Sequence, residues 1–307
     1  MSGDSAGASR GPSISANGRF VAFTLFASNL VPGDTNETVH VHDRKTGITT
    51  LVSVDSAGNE GNGNSGVASI SANGRFVTFT SIASNLVPGD TNETQDVFVH
   101  DRKTGITTRV SVDSAGNEGN RASTERGNTG SFGSSITANG RFVAFMSSAS
   151  NLVPGDTNET EDVFVHDRKT GITTRVSVNS AGNEGNNGSF GGSISANGRF
   201  VAFESGASNL VPGDTNETGD VFVHDRKTGI TTLVSVDSAG NEGNDTSFAP
   251  SLSANGRFVT FTSIASNLVP GDTNGVEDVF VHELARNALN HARDDDDADS
   301  VDDDDED

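Results

Sequence analysis

The chain has no cysteine, no tryptophan and no tyrosine. Without thiols there is no disulfide framework, no thiolate nucleophile and no sulfur-ligated metal, and the redox compartment is left open. Without tryptophan and tyrosine the rings on which sugars usually stack are missing, so a lectin or sialidase reading loses its footing. Lysine is scarce, with four against sixteen arginines. No apolar run is long enough to span a bilayer, so membrane insertion is not expected. The start, Met1-Ser2-Gly3-Asp4, carries neither the basic nor the apolar block of an export signal. A net charge of −22 repels phosphate backbones and anionic lipid, which argues against nucleic acid as a partner. Eleven of those charges fall between Asp294 and Asp307, where an acidic run is expected to form a disordered tail (294–307).

What the chain does have is repetition. Ser-Ala-Asn-Gly-Arg-Phe or a near copy returns five times, with its glycine at Gly18, Gly74, Gly140, Gly198 and Gly256. A period of nearly sixty residues, rich in turn signals, predicts an array of small sheets. With 36 glycines and 32% hydrophobic residues one large core would be marginal. Repeats escape that limit, because each unit buries its faces against its neighbours.

In the second copy, 68–71 and 75–80 flank Asn73-Gly74, a hairpin signal that predicts a type I′ turn with both central residues at positive φ. Residues 96–101 and 106–112 flank Lys103-Thr104-Gly105, a second tight turn with its glycine left-handed. Each repeat thus supplies four antiparallel strands. Alternation places both tight turns on one side and the long connections, rich in acids and amides, on the other. The expected organisation is an N-terminal loop segment (1–12), five repeats over 13–283 (13–68, 69–134, 135–192, 193–250, 251–283), and a short helical segment (284–293) before the tail. After the last third strand the Lys-Thr-Gly turn and its strand do not recur, so the fifth unit is expected to be incomplete. Asp4-Ser5-Ala6-Gly7 matches Asp55-Ser56-Ala57-Gly58, so the chain opens in a loop that elsewhere follows a fourth strand, as a fragment of a longer ring would.

The Ser-x-Ser-Ala-Asn-Gly-Arg-Phe-Val-Ala-Phe signature and the segment Asp-Val-Phe-Val-His-Asp-x-x-Thr-Gly-x-Thr-Thr-x-Val-Ser resemble the bacterial TolB-like, WD-like β-propeller repeats. The resemblance runs from about Ser13 to His282, with Asn-Gly-Arg-Phe where members usually read Asp-Gly-Arg-Tyr. It implies an all-β propeller of about five four-stranded antiparallel blades, the last incomplete. It also implies a binding or scaffold module, periplasmic or secreted if the N-terminus is truncated. Fold alone does not assign an activity.

Chemistry-bearing motifs are few. Oxygen-bearing side chains recur at positions one, three and seven of a loop, as Asp90, Asn92 and Asp96; Asp156, Asn158 and Asp162; Asp214, Asn216 and Asp220; and Asp272, Asn274 and Asp278, with a partial set at Asp34 and Asn36. Calcium takes six to eight oxygens from a compact loop, and these sets are candidate Ca2+ ligands. The same residues also build Asx-turns, and the missing glycine and terminal glutamate of an EF-hand tilt the balance toward turns. His42, His100, His166, His224 and His282 end the third strands. They could ring a transition metal, but read better as partly exposed residues copied with the unit. Arg19, Arg75, Arg141, Arg199 and Arg257 are expected to pair with acids such as Asp43 and Asp101, and the phenylalanines to pack between blades.

No Gly-x-Ser-x-Gly elbow, phosphate loop or unique catalytic trio stands outside the repeat. The expectation is therefore a non-catalytic module that binds a protein or small ligand, with no catalytic residues. Alternatives are a propeller-type hydrolase or lyase, and a truncated propeller that self-associates through its incomplete last blade.

Overall fold

A computed structural model describes residues 8–26, 36–121 and 134–284. Among these residues nineteen strands form five antiparallel sheets. The first blade holds β1 (Ser9–Ile14), β2 (Phe20–Leu25), β3 (Thr38–Asp43) and β4 (Ile48–Leu51). The second holds β5 (Ser65–Ile70), β6 (Phe76–Ser81), β7 (Asp96–Asp101) and β8 (Ile106–Arg109). The third holds β9 (Ser135–Ile136), β10 (Phe142–Ser147), β11 (Asp162–Asp167) and β12 (Ile172–Arg175). The fourth holds β13 (Ser189–Ile194), β14 (Phe200–Ser205), β15 (Asp220–Asp225) and β16 (Ile230–Leu233), and the fifth stops at three, β17 (Ser247–Leu252), β18 (Phe258–Ser263) and β19 (Asp278–Glu283). The expected helical segment lies at 285–293 outside the described residues, apart from Leu284, as does the acidic tail.

Each sheet runs in simple up-and-down order, so the tight turns share one side and the long connections the other. The Asn-Gly turns depart from type I′. Only the glycine takes a positive φ, +75° at Gly74, because Asn73 spends its side chain on the turn. Its Oδ1 accepts from Ser71 Oγ at 2.9 Å and Arg75 N at 2.9 Å, which closes a longer loop around a Ser71-to-Gly74 turn. The Lys-Thr-Gly turns follow expectation, with Gly105 at φ +76°.

Two layers of packing bind blade to blade. Within the second blade Phe79 and Phe98 pair across β6 and β7 and stack at 5.8 Å, both fully buried. The third and fourth blades repeat the pair as Phe145 with Phe164 and Phe203 with Phe222. Burying each ring contributes about 2 kcal/mol. In the first blade His40 takes the inner place and stacks on Phe23 at 6.0 Å. In the four complete blades the opposite face of the third strand offers a valine pair to its neighbours, as Val97 and Val99 do to Phe145, Ala149 and Leu152.

On the short-turn side Phe20 lies between the guanidiniums of Arg19 at 4.6 Å and Arg102 of the next blade at 4.4 Å. The same ring covers Gly74, where an added Cβ would stand 2.2 Å from it. Beneath these rings a backbone ladder crosses four junctions, from Ala16 N to Ala72 O, Ala72 to Ala138, Ala138 to Ala196 and Ala196 to Ala254. On the long-loop side the asparagine that ends Asn-Glu-Gly-Asn clamps the following blade. Asn120 exchanges bonds with Ser150 and Asn151, 2.9 Å from its N to Asn151 Oδ1.

The first strands bulge, and the bulge sets up one test of backbone strain. Val67 sits there at φ +50°, where the first and fourth repeats use Gly11 and Gly191. A β-branched residue is poorly suited to that region. Val67→Gly is therefore expected to stabilise the protein by about 1 kcal/mol in urea unfolding, since the relief of strain outweighs the added chain entropy.

Candidate functional site

The long-loop side gathers three carboxylates in each of three blades. In the second blade the β6–β7 connection brings Asp90, the first residue of β7 is Asp96, and the turn after β8 returns Glu118, which bridges to Val112. One carboxylate oxygen from each lies within 4.8 Å of the others. Asp156, Asp162 and Glu184 form the same group in the third blade, and Asp214, Asp220 and Glu242 in the fourth. Asp272 and Asp278 join no such group among the described residues, Asp34 lies outside them, and Asn36 donates to Gly61 O at 2.9 Å.

The asparagines hold the loop together. Asn92 Nδ2 donates to Asp96 Oδ2 at 3.1 Å and to Gly119 O at 2.9 Å, while its Oδ1 takes Thr94 N at 3.0 Å. Asn158 and Asn216 repeat the pattern, and Asn274 donates to Asp278 Oδ2. In this arrangement the amide oxygen closes an Asx-turn and the inward ligands are carboxylates alone. The glutamates were not among the sequence candidates, because they lie some twenty residues downstream of the loop they face. The recurring Glu of Asn-Glu-Gly-Asn was the available signal.

The residue ending the fourth strand separates the blades. Arg109 enters its cluster with Nη1 at 2.7 Å from Glu118, 3.3 Å from Asp96 and 3.4 Å from Asp90. Arg175 does the same in the third blade at 2.7, 3.2 and 3.4 Å. The fourth blade has Leu233 at that position. Two of its three carboxylates are held by neutral donors: Ser235 Oγ and Asn216 Nδ2 on Asp220, and the Thr215 and Asn216 amides on Glu242. Burial, followed by the charges of Asp220 and Glu242, pushes Asp214 up to about 6. Asp90 and Asp156 rise to about 6 through burial and their own neighbouring acids, against the pull of the arginine. Asp220 is fully buried, and that burial raises it.

The other candidates serve structure. Arg19, Arg75, Arg141 and Arg199 form two-point pairs with Asp43, Asp101, Asp167 and Asp225, for example 2.8 and 2.7 Å between Arg75 and Asp101. The Arg75 guanidinium holds Asp101 well below the usual carboxylate range. In the fifth blade Arg257 takes Glu283 instead. The histidines are more enclosed than a strand-end position suggests. His100, His166 and His224 are buried, each with Nδ1 at 2.9 Å from a fourth-strand threonine hydroxyl, and burial lowers His166 and His224 to about 4. A ring already bonded to Thr107, Thr173 or Thr231 sits in the wall of its own blade.

Up-and-down sheets of four strands, repeated and packed face to face, have one architecture. The fold is a TolB-like β-propeller. A putative TolB from Agrobacterium tumefaciens superposes with a TM-score of 0.50 at 13% identity, over 91% of this chain and 78% of that one. An oligogalacturonate lyase in complex with manganese also gives 0.50, at 11% identity over 90% and 62%. TolB from Acinetobacter baumannii is 18% identical with a TM-score of 0.48, and the propeller described here spans 53% of its length. At these identities the likeness is one of fold. No family model and no curated protein matches the chain. No helix among the described residues is long and apolar enough to cross a membrane.

Proposed function

We propose that the chain is a non-catalytic binding propeller whose long-loop face is stabilised by a divalent cation, calcium by its donor chemistry, at Asp214, Asp220 and Glu242. The observation that carries this reading is Leu233. Where two sister blades place a guanidinium among three carboxylates, the fourth places a leucine, and the acids keep the same positions. Three carboxylates supply up to six hard oxygens, a set that suits calcium. The non-catalytic part rests on where the repeated polar groups are used: arginines on aspartates, histidines on threonines, asparagines on loops and neighbouring blades. A periplasmic or secreted location is the one the repeat signature implies, and millimolar calcium occurs in such surroundings.

The test is thermal unfolding with calcium and with chelator. A cation that binds only the folded state raises the midpoint. Calcium at about 5 mM is expected to raise it by several degrees in the wild type and not in Leu233→Arg, whose midpoint in chelator is expected to equal that of the calcium-loaded wild type. The effect carries a pH signature. An acid raised above its ordinary value destabilises the fold when ionised, so in chelator the penalty at Asp214 is present above about 6 and fades as pH falls toward 3.8. Protons then replace the cation, and the calcium response is expected to vanish by about pH 4.5. No response at neutral pH would remove the cation from the proposal. Turnover of any ester, glycoside or peptide substrate by the purified protein would overturn its non-catalytic part.

A further inference from the structure

Among the described residues the outer edge of the fifth blade has no partner strand and its trailing face is exposed. In the four complete blades the third strand is flanked by a four-residue strand, and its valine pair lies under the next blade. Val39 and Val41, Val97 and Val99, Val163 and Val165, and Val221 and Val223 are all buried, 3% exposed at most. Their counterparts on β19, Val279 and Val281, are 76% and 66% exposed. Among the described residues the alanine ladder reaches Ala254 and forms no bond back to Ala16, and the main strand contacts pass from one blade to the next in order. Among the described residues no strand pairs with the outer edge of β19.

Four examples in the same molecule define what fits that edge. β16 pairs with β15 so that Ile230 faces Asp225, Thr231 faces His224, Thr232 faces Val223 and Leu233 faces Phe222. The hydroxyl of Thr231 meets His224 Nδ1 at 2.9 Å, and Val234 N donates to Val221 O at 2.9 Å. The same register and bonds recur in the first three blades. The valine after the strand is buried in every case, and Val52, Val110 and Val176 pack in clusters that also hold the valine pair of the strand alongside. β19 keeps the matching groups in order, with Phe280, Val281, His282 and Glu283.

We infer that the fifth blade is a strand-acceptor site. It takes one extended partner segment of the chemistry Ile-Thr-Thr-x-Val, antiparallel to β19, with the second residue's backbone beside His282 and its threonine hydroxyl on the imidazole. Main-chain bonds supply affinity and the alternate side chains supply selectivity, as in other strand additions. Unpaired edges are usually protected by charge, proline or a covering element, and here two valines stand in the open.

The probe is the capped peptide Gly-Ile-Thr-Thr-Leu-Val-Ser-Val, copied from 229–236, added in trans to the full chain and followed by amide exchange. At about 1 mM peptide, amides within 279–283 are expected to exchange about tenfold more slowly, with no change in β15. A peptide with proline for the second threonine, which lacks the backbone donor, is expected to give no protection. Three results would overturn the site: no protection by the copied peptide, equal protection by the proline peptide, or an edge already as protected as β15 without peptide. The last would mean that residues 285–293, the first blade or a second copy already occupies the edge, and a mass measurement separates the second copy from the other two.

Discussion

Gly140→Ala is expected to destabilise the protein by about 3 kcal/mol, several times the effect of the same change at Gly105. Both glycines sit in the left-handed region, at φ +75° and +76°. An alanine there costs about 1 kcal/mol at either position. They differ in what lies above them. A Cβ at Gly140 would stand 2.1 Å from Phe76 Cδ2 of the preceding blade, whereas nothing lies within 4 Å at Gly105. The excess therefore reports the junction between blades. Gly18 is an internal control, since its nearest neighbour is Arg44 Nη1 at 3.6 Å and no preceding ring covers it. Urea midpoints at unchanged slope give the comparison, and pairing Gly140→Ala with Phe76→Ala is expected to recover most of the excess. Equal costs at Gly140, Gly105 and Gly18 would mean that the blades do not pack through these rings.

Arg109→Leu carries the second large effect. It recreates in the second blade the sequence state of the fourth, leaving Asp90, Asp96 and Glu118 without the guanidinium that now touches all three. Arg109 is 8% exposed and Asp96 fully buried, so the stranded charges are poorly solvated. Removing one partner of such a group costs about 3 to 5 kcal/mol. In chelator the variant is expected to lose about that much, and in calcium to regain most of it, because a cation can enter where the arginine stood. Arg109→Lys keeps the charge but not the planar fork, and is expected to fall between. A loss in chelator that calcium does not reverse would separate the arginine's structural role from the cation proposal for the fourth blade.

Much of this architecture was legible before any coordinates. Five copies of one hairpin-rich unit dictate five sheets, and the β-branched runs around Lys-Thr-Gly place the third and fourth strands. The Asp and Asn loop was legible as a place of oxygens, with the balance tilted toward Asx-turns, the role the asparagines take. What sequence could not show is which distant residue closes it. Glu118 meets Asp90 only because β7 and β8 fold back on each other, and the meaning of Leu233 depends on Arg109 and Arg175 pointing inward. The Asn-Gly turn departs from the expected type for a related reason, since Asn73 bonds Ser71 and Arg75 instead of taking a left-handed backbone. The enclosure of His100 also depends on the strand beside it, through Thr107.

The most direct measurement is the number of calcium ions bound per chain, by equilibrium dialysis or calorimetry at neutral pH. One acidic group among the described residues lacks an arginine, so the expected values are one for the wild type, none for Leu233→Arg and two for Arg109→Leu. Three ions in the wild type, or none in any variant, would contradict the account, because arginine and cation would then not be alternatives at the same site.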